Sequence, residues 1–201
     1  VLLVSGATDT IDSITISNLN SFLESGRGVF IAQSGVSTDM QVQQATPINS
    51  NIFGFLKSYG MNVNQTLVLD KSCGRVQVQQ QMGFIRMNVP MEYPFLPIIK
   101  KFNDQELVVS GLEQIHLFFP SEISLDTALS NSVAGVVDLF SSSNKSAIMS
   151  GRFILSPDPK NNPFLQNLNQ RGKILCASSR LVSGGELILV SDSRFLSDDA
   201  G

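Results

Sequence analysis

The first seventy residues alternate short apolar runs with segments whose apolar side chains recur at helical spacing. The apolar runs predict strands at Val1–Val4, Gly28–Ala32 and Thr66–Asp70. Between them, one helix carries Leu19, Phe22 and Leu23 on one face and ends at Gly26, and a second spans Asn51–Tyr59 and ends at Gly60. Strands that alternate with helices of about ten residues indicate a parallel sheet covered by helices on both faces.

The middle of the chain has a different pattern. Arg75–Gln81 alternates Val with Gln, which predicts an exposed strand, and the prolines at 90, 94 and 97 are expected to interrupt any long regular element. Ile115–Phe119 is a predicted strand that ends at Pro120. Val133–Ile154 is strand-like, with a polar break at Ser141–Lys145.

The last part of the chain has the pattern of a hairpin. Ile174–Ala177 and Leu187–Val190 are apolar runs on either side of a connection that contains Gly184 and Gly185. Residues 1–201 are therefore expected to form a single α/β domain, in which a mostly parallel sheet covered by helices carries an antiparallel extension.

Composition narrows the classes of partner. Charged residues make up 15% of the chain, against about 25% in typical soluble domains, and such an uncharged polar surface favours an extracytoplasmic location. The formal charge is −3 and no Lys/Arg stripe is present, so we expect no nucleic-acid partner.

The longest apolar runs in the sequence fall short of the about 20 residues that cross a bilayer. Because the sequence starts inside a predicted strand without Met, we expect it to be excised from a longer protein.

Three stretches together resemble a known family. They are Leu3–Gly6 with Phe22–Ile31, Phe55–Met61 leading into Leu67–Asp70, and Gly185–Asp198. In this order they resemble the extracytoplasmic domain of auxiliary proteins of ABC-type transport systems, a group that includes a gliding-motility component. The resemblance implies a flavodoxin-like or class I glutamine amidotransferase-like fold without enzymatic activity. It also implies a position on the periplasmic face of the inner membrane, anchored by flanking segments and partnered by ABC permease and ATPase subunits.

The residues that catalysis would need are not arranged for it in the sequence. An amidotransferase-like enzyme places a cysteine on the turn after a strand, whereas the turn after Gly28–Ala32 reads Gln33-Ser34-Gly35. Cys176 lies in a predicted strand and Cys73 in a loop, without CxxC spacing. The one histidine, His116, is predicted to be structural. A hydrolase that uses Ser34 or Cys73 with His116 is one functional hypothesis. Because these residues form no recognisable catalytic arrangement, we expect no enzyme activity.

No cofactor or metal site is expected either. The glycines do not form a GxGxxG or GxxxxGK[ST] motif. The aspartates at 192, 198 and 199 lack the spacing of a calcium-binding loop and are interpreted as a solvated acidic terminus.

Small polar residues follow several predicted strands. In open α/β sheets, ligands bind beyond the carboxyl ends of the strands, and such residues suit a neutral hydroxylated ligand such as a sugar. The candidate ligand-binding residues are Ser5, Gly6, Ser34, Gly35, Asp70, Ser191, Asp192 and Ser193. The leading hypothesis is a non-catalytic accessory domain of an ABC-type transport system that acts by protein contacts or cargo binding. The alternative is a solute- or carbohydrate-binding module.

Overall fold

A computed structural model describes residues 1–82, 85–126 and 128–197. The strands are β1 (Leu2–Ser5), β2 (Gly28–Ala32), β3 (Val36–Asp39), β4 (Gln44–Pro47), β5 (Met61–Val63), β6 (Thr66–Asp70), β7 (Cys73–Met82), β8 (Ile85–Ile99), β9 (Ile115–His116), β10 (Ile123–Leu125), β11 (Val133–Ser141), β12 (Ser146–Ser150), β13 (Ile174–Leu181) and β14 (Glu186–Val190). The α-helices are α1 (Ser13–Glu24) and α2 (Ile52–Ser58), and short 3-10 helices cover Leu107–Val109 and Pro163–Gln166.

A five-stranded mixed sheet lies at the centre, in the order β1-β2-β14-β13-β11. β1, β2 and β14 run parallel, whereas β13 is antiparallel to both β14 and β11. The predicted closing hairpin is therefore confirmed as β13 and β14. The parallel part brings the carboxyl ends of β1, β2 and β14 to one edge of the sheet.

Both α-helices pack on the same face of this sheet. The Asp12 carboxylate caps α1 by accepting a hydrogen bond from the Thr15 N–H at 2.8 Å, and the buried side of the helix presents Leu19 and Leu23. α2 buries three apolar residues in the same core cluster. The sheet contributes alternate positions of β2 and β14 to this cluster, namely Val29, Ile31, Leu187 and Leu189.

Among the described residues, no α-helix covers the opposite face of the sheet. Ile99 at the end of β8, Val109 in the first 3-10 helix and Leu117 pack there against Leu175 and Val190 of the sheet. A strand end, a 3-10 turn and an extended segment thus take the place that a second helical layer would have.

The predicted fold class, a mostly parallel sheet covered by helices, is wrong. The protein is mostly β, with 42% strand and 14% helix, and its several small sheets are largely antiparallel. Thr66–Asp70 is a strand as predicted, but as β6 it pairs antiparallel with β12 outside the central sheet. The mistake follows from burial: β6 is apolar on both faces, a pattern shared by parallel strands and by strands inside a stack of small sheets.

The expectation that prolines break up the middle of the chain is also wrong. β7 and β8 form a long antiparallel hairpin, and β8 runs through all three prolines. Proline lacks only the N–H donor, and the Pro97 carbonyl still accepts the Leu117 N–H at 3.0 Å. The predicted strand Ile115–Phe119 is regular only at Ile115–His116, since Phe119 adopts φ 54°.

Within the residues that the structure describes, no helix has both the length and the apolar character that a membrane crossing requires.

Candidate functional site

Seven of the eight predicted ligand-binding residues meet at the carboxyl ends of β1, β2 and β14. Ser5 and Gly6 end β1, Ser34 and Gly35 follow β2, and Ser191–Ser193 follow β14. We call this group of residues the serine edge. The parallel pairing of the three strands brings them together, as the sequence predicted.

Hydroxyl groups of the serine edge are bonded to the protein itself. The Ser34 N–H donates to Ser193 Oγ at 2.8 Å, and the Ser193 N–H donates to Ser34 Oγ at 2.9 Å. The Ser5 hydroxyl donates to the Ser193 carbonyl at 2.8 Å, and the Ser191 hydroxyl donates to the Leu175 carbonyl at 3.1 Å. These groups tie the three strand ends to one another and to β13, which reduces what they offer to a ligand.

Two residues that were not predicted from the sequence complete this hydrogen-bond network. Gln33 is fully buried, and its amide accepts the Ala7 N–H at 2.8 Å and donates to the Ala7 carbonyl at 3.1 Å. Ser121, also fully buried, accepts the Gly35 N–H at 2.8 Å. The available signal for Gln33 was a polar residue directly after a buried strand, a position where an amide can satisfy turn backbone.

The glycine at position 35 is required by packing. A Cβ atom there would lie 2.1 Å from the Asn64 carbonyl oxygen, so a side chain at this position has no room. Gly6 adopts φ +62°, a left-handed conformation that favours glycine.

Asp192 was predicted to belong to a solvated acidic terminus, and this prediction is wrong, because its carboxylate is fully buried at the serine edge. One of its oxygens accepts the Phe118 N–H at 2.7 Å and the other accepts the Arg194 N–H at 2.9 Å. Burial raises the pKa of Asp192 to about 6, although these hydrogen bonds and the nearby Arg194 charge oppose the shift. The carboxylate joins the end of β14 to the segment at Phe118.

The groove outside the serine edge is small. It encloses about 180 Å³ between Gly6, Ser34, Thr38 and Arg194, and the Arg194 guanidinium lies 5.6 Å from the centre of the Phe119 ring. Pockets for small molecules usually enclose about 300–1,000 Å³. A sugar at this edge stays a prediction, with little room to accommodate it.

The candidate nucleophiles and the histidine have other partners. Ser34 Oγ bonds to residues of the serine edge, whereas the exposed His116 ring contacts the Gln114 amide at 3.2 Å. Both cysteines are free thiols. Burial raises the pKa of Cys176, and burial followed by the Glu92 charge raises the pKa of Cys73. Both shifts disfavour the reactive thiolate.

Asp70, the eighth predicted residue, lies in another part of the molecule. Its buried carboxylate accepts the Ser72 N–H at 2.8 Å, and it accepts both the N–H and the hydroxyl of Ser143. Ser72 and Ser143 line a cavity of about 720 Å³, together with residues 98–104, the rest of 138–144, Arg171 and Gly172. We call this the β8–β11 cavity. Asp70 thereby holds Ser72 and Ser143 in place, and we call these two serines, together with Ser142, the floor of the cavity.

The described residues contain no group of three or more His, Cys, Asp or Glu side chains placed to hold a metal ion. Asp198 and Asp199, part of the predicted acidic terminus, lie outside the described residues.

Comparison with known proteins gives a fold relative and a family. The fold is similar to that of the mmIFT52 N-terminal domain, with a TM-score of 0.57 at 14% identity over 99% of this chain and 69% of that chain. At this identity the likeness concerns the fold alone. No curated protein matches the sequence. The family model described as ABC-type uncharacterized transport system matches residues 1–201, and the chain therefore belongs to this ABC-type transport-system family.

Proposed function

We propose that this chain is a non-catalytic, extracytoplasmic accessory domain of an ABC-type transport system, which acts by contacting the permease. The family supports an auxiliary role in such a system. The self-bonded serine edge, together with two thiols whose pKa is raised, supports a role without catalysis. The gliding-motility subgroup suggested by the resemblance stays a prediction.

The observation that carries this proposal is an exposed apolar segment at Leu107–Leu112. Leu107, Val108 and Leu112 are exposed by 91%, 48% and 43%. Contiguous apolar side chains of this kind mark interaction surfaces more often than isolated ones do.

The same segment is held in place from inside. Val109 is buried in the core cluster on the helix-free face of the sheet, and Glu106 forms an ion pair with Arg180 of β13. A fixed backbone presents its apolar side chains at a low entropic cost of binding. We propose that this segment contacts an apolar surface of the permease, and that the permease links the domain to the ATPase.

Co-purification tests this contact. The protein is expressed from its own gene with Leu107→Ser and Val108→Ser, and the permease recovered with it is quantified after extraction in mild detergent. We expect recovery to fall at least tenfold. The matched control is Ile14→Ser with Val182→Ser, which removes apolar groups exposed by 72% and 70% elsewhere. Equal recovery from both double variants would contradict the proposed contact.

The extracytoplasmic position has a separate test. Protease added to spheroplasts should digest the domain, because this location leaves it accessible from outside. Protection from protease in intact spheroplasts, followed by digestion after lysis, would contradict the proposed location.

Binding of a solute is the second candidate function. The β8–β11 cavity favours it, since about 720 Å³ lies within the usual range for small-molecule pockets. A sugar present at 100 times its Kd should add about 2.7 kcal/mol of stability. Screening sugars by thermal unfolding tests this function, and the absence of a shift with every sugar would count against it.

A further inference from the structure

The β8–β11 cavity contains positive charges without partners. Lys100, Lys101 and Arg171 line it, and in the described part of the chain none of their side chains makes a hydrogen bond or an ion pair. The basic side chains that are paired, Lys173 and Arg180, meet their carboxylates elsewhere. The cavity therefore gathers three free cationic groups in a chain whose net charge is −3.

Two carboxylates, those of Asp104 and Asp138, also line the cavity. Their side chains make no hydrogen bond or ion pair with described residues either. A small inorganic anion would meet their repulsion as well as the cations' attraction. A ligand that carries both an anionic group and hydroxyl donors would satisfy both sets, because carboxylates accept hydrogen bonds from hydroxyls.

The floor of the cavity is held by hydrogen bonds. The Ser143 N–H and hydroxyl both donate to Asp70, and the Ser142 hydroxyl accepts the Lys173 N–H at 2.7 Å. On the wall, the Phe102 and Phe140 rings meet edge to face with centroids 5.8 Å apart. Preformed polar and aromatic walls of this kind are typical of ligand pockets.

We infer that the β8–β11 cavity binds an anionic carbohydrate, a sugar that carries a carboxylate or phosphate group, with Lys100, Lys101 and Arg171 facing the anionic group. Arginine matches carboxylate and phosphate with a planar pair of N–H donors. The hydroxyls of the sugar face Asp104 and Asp138. This inference rests on the solute-binding function proposed above and names its ligand class.

A titration followed by ¹⁵N–¹H NMR tests the inference. The probes are glucuronate, glucose 6-phosphate, glucose and inorganic phosphate. We expect the backbone amides of Ser143, Asn144 and Gly172 to shift, and at least one anionic sugar to bind at least tenfold more tightly than both glucose and phosphate. Preference between the two anionic sugars identifies the anionic group.

Variants that remove lysine charges test whether the cavity's cations bind the anionic sugar. Lys100→Gln with Lys101→Gln should weaken binding of the anionic sugar at least tenfold. Lys57→Gln with Lys160→Gln changes the net charge equally, at exposed lysines outside the cavity, and should leave binding unchanged. All four lysines are exposed, so unchanged melting temperatures are expected for both double variants.

Failure of the anionic-sugar inference can be distinguished from failure of the solute-binding function on which it rests. Glucose binding in the cavity as tightly as the anionic sugars would overturn the inference and leave solute binding supported. Phosphate binding as tightly as glucose 6-phosphate would also overturn the inference, in favour of simple anion binding. Failure of both anionic sugars to bind, or equal loss of affinity in both double variants, would overturn it too.

Discussion

The serine edge and the β8–β11 cavity are two polar regions with opposite hydrogen-bonding states. At the serine edge, the hydroxyls of Ser5, Ser34 and Ser193 bond to protein atoms, and the groove outside encloses about 180 Å³. In the cavity, about 720 Å³ is lined by charged side chains without partners among the described residues. A cluster of small polar residues can thus close the end of a sheet through its own hydrogen bonds, whereas the cavity leaves its charged groups available to a ligand.

Each region has one fully buried aspartate that accepts backbone N–H groups. Asp192 joins β14 to the segment at Phe118, and Asp70 holds Ser143 at the cavity floor. Both carboxylates therefore act as structural acceptors, and the difference between the regions lies in the groups around them.

The largest effect is expected from Gly35→Ala at the serine edge. The added Cβ would lie 2.1 Å from the Asn64 carbonyl oxygen, and because that atom belongs to the backbone it cannot rotate away. We expect the free energy of unfolding to fall by at least about 3 kcal/mol, measured by urea denaturation. Gly54→Ala in α2 is the control, since its Cβ meets no atom within 4 Å, and it should raise stability by up to about 1 kcal/mol. Equal stability of the two variants would contradict a tightly packed edge.

The dependence of stability on pH sharpens the role of Asp192. Its pKa is raised to about 6 in the folded protein from 3.8, so the native state binds the proton more tightly than the unfolded state. Its contribution to stability is therefore present below pH 3.8 and is lost as pH rises through about 6, by about 2 kcal/mol between pH 4 and pH 7.

Urea denaturation of the wild type and of Asp192→Asn across this pH range measures the effect. Between pH 4 and pH 7, the free energy of unfolding of the wild type should fall by about 2 kcal/mol relative to that of Asp192→Asn. If the stabilities of the two proteins changed in parallel with pH, burial would not raise the pKa of Asp192.

Asp70→Asn tests whether the cavity floor is held as firmly as the serine edge. The amide nitrogen replaces an oxygen that accepts from Ser143, which leaves a buried donor unpaired. We expect a loss of about 1.5 kcal/mol in the free energy of unfolding. Asp104→Asn on the exposed rim should change it by less than about 0.5 kcal/mol. An equally small loss of stability in Asp70→Asn and Asp104→Asn would show that Asp70 does not hold the cavity floor in place.

The smallest effect is expected from Ser5→Ala. This exposed hydroxyl donates one hydrogen bond, to the Ser193 carbonyl at 2.8 Å, and water can replace it. Thermal unfolding should report a loss below about 1 kcal/mol. A loss comparable to that of Gly35→Ala would mean that hydroxyl bonding, rather than packing, holds the edge closed.

Local elements of the fold were predictable because each depends on residues close in sequence. Gly28–Ala32 is a strand with the predicted bounds, and α1 ends before Gly26, which adopts φ +83°. The choice of partner strand was not predictable. The apolar run Thr66–Asp70 records burial on both faces, but it carries no information that β12 lies beside it in antiparallel register.

The site was predictable only where parallel strands impose proximity. That rule correctly joined the ends of β1, β2 and β14, and it failed for Asp70 because β6 belongs to another sheet. The β8–β11 cavity was not predicted because Arg171 lies about seventy residues after Lys100 and Lys101 in sequence, and the three form no motif. Only the tertiary fold brings them to one cavity.

Site-specific photo-crosslinking tests the central claim, that this domain works by contacting the permease through its exposed apolar segment. A photoreactive amino acid is placed at position 107, or at position 8 beside the groove of the serine edge, in the protein expressed from its own gene. We expect a crosslink to the permease from position 107 and none from position 8. A permease crosslink from position 8 alone, or from neither position, would contradict it.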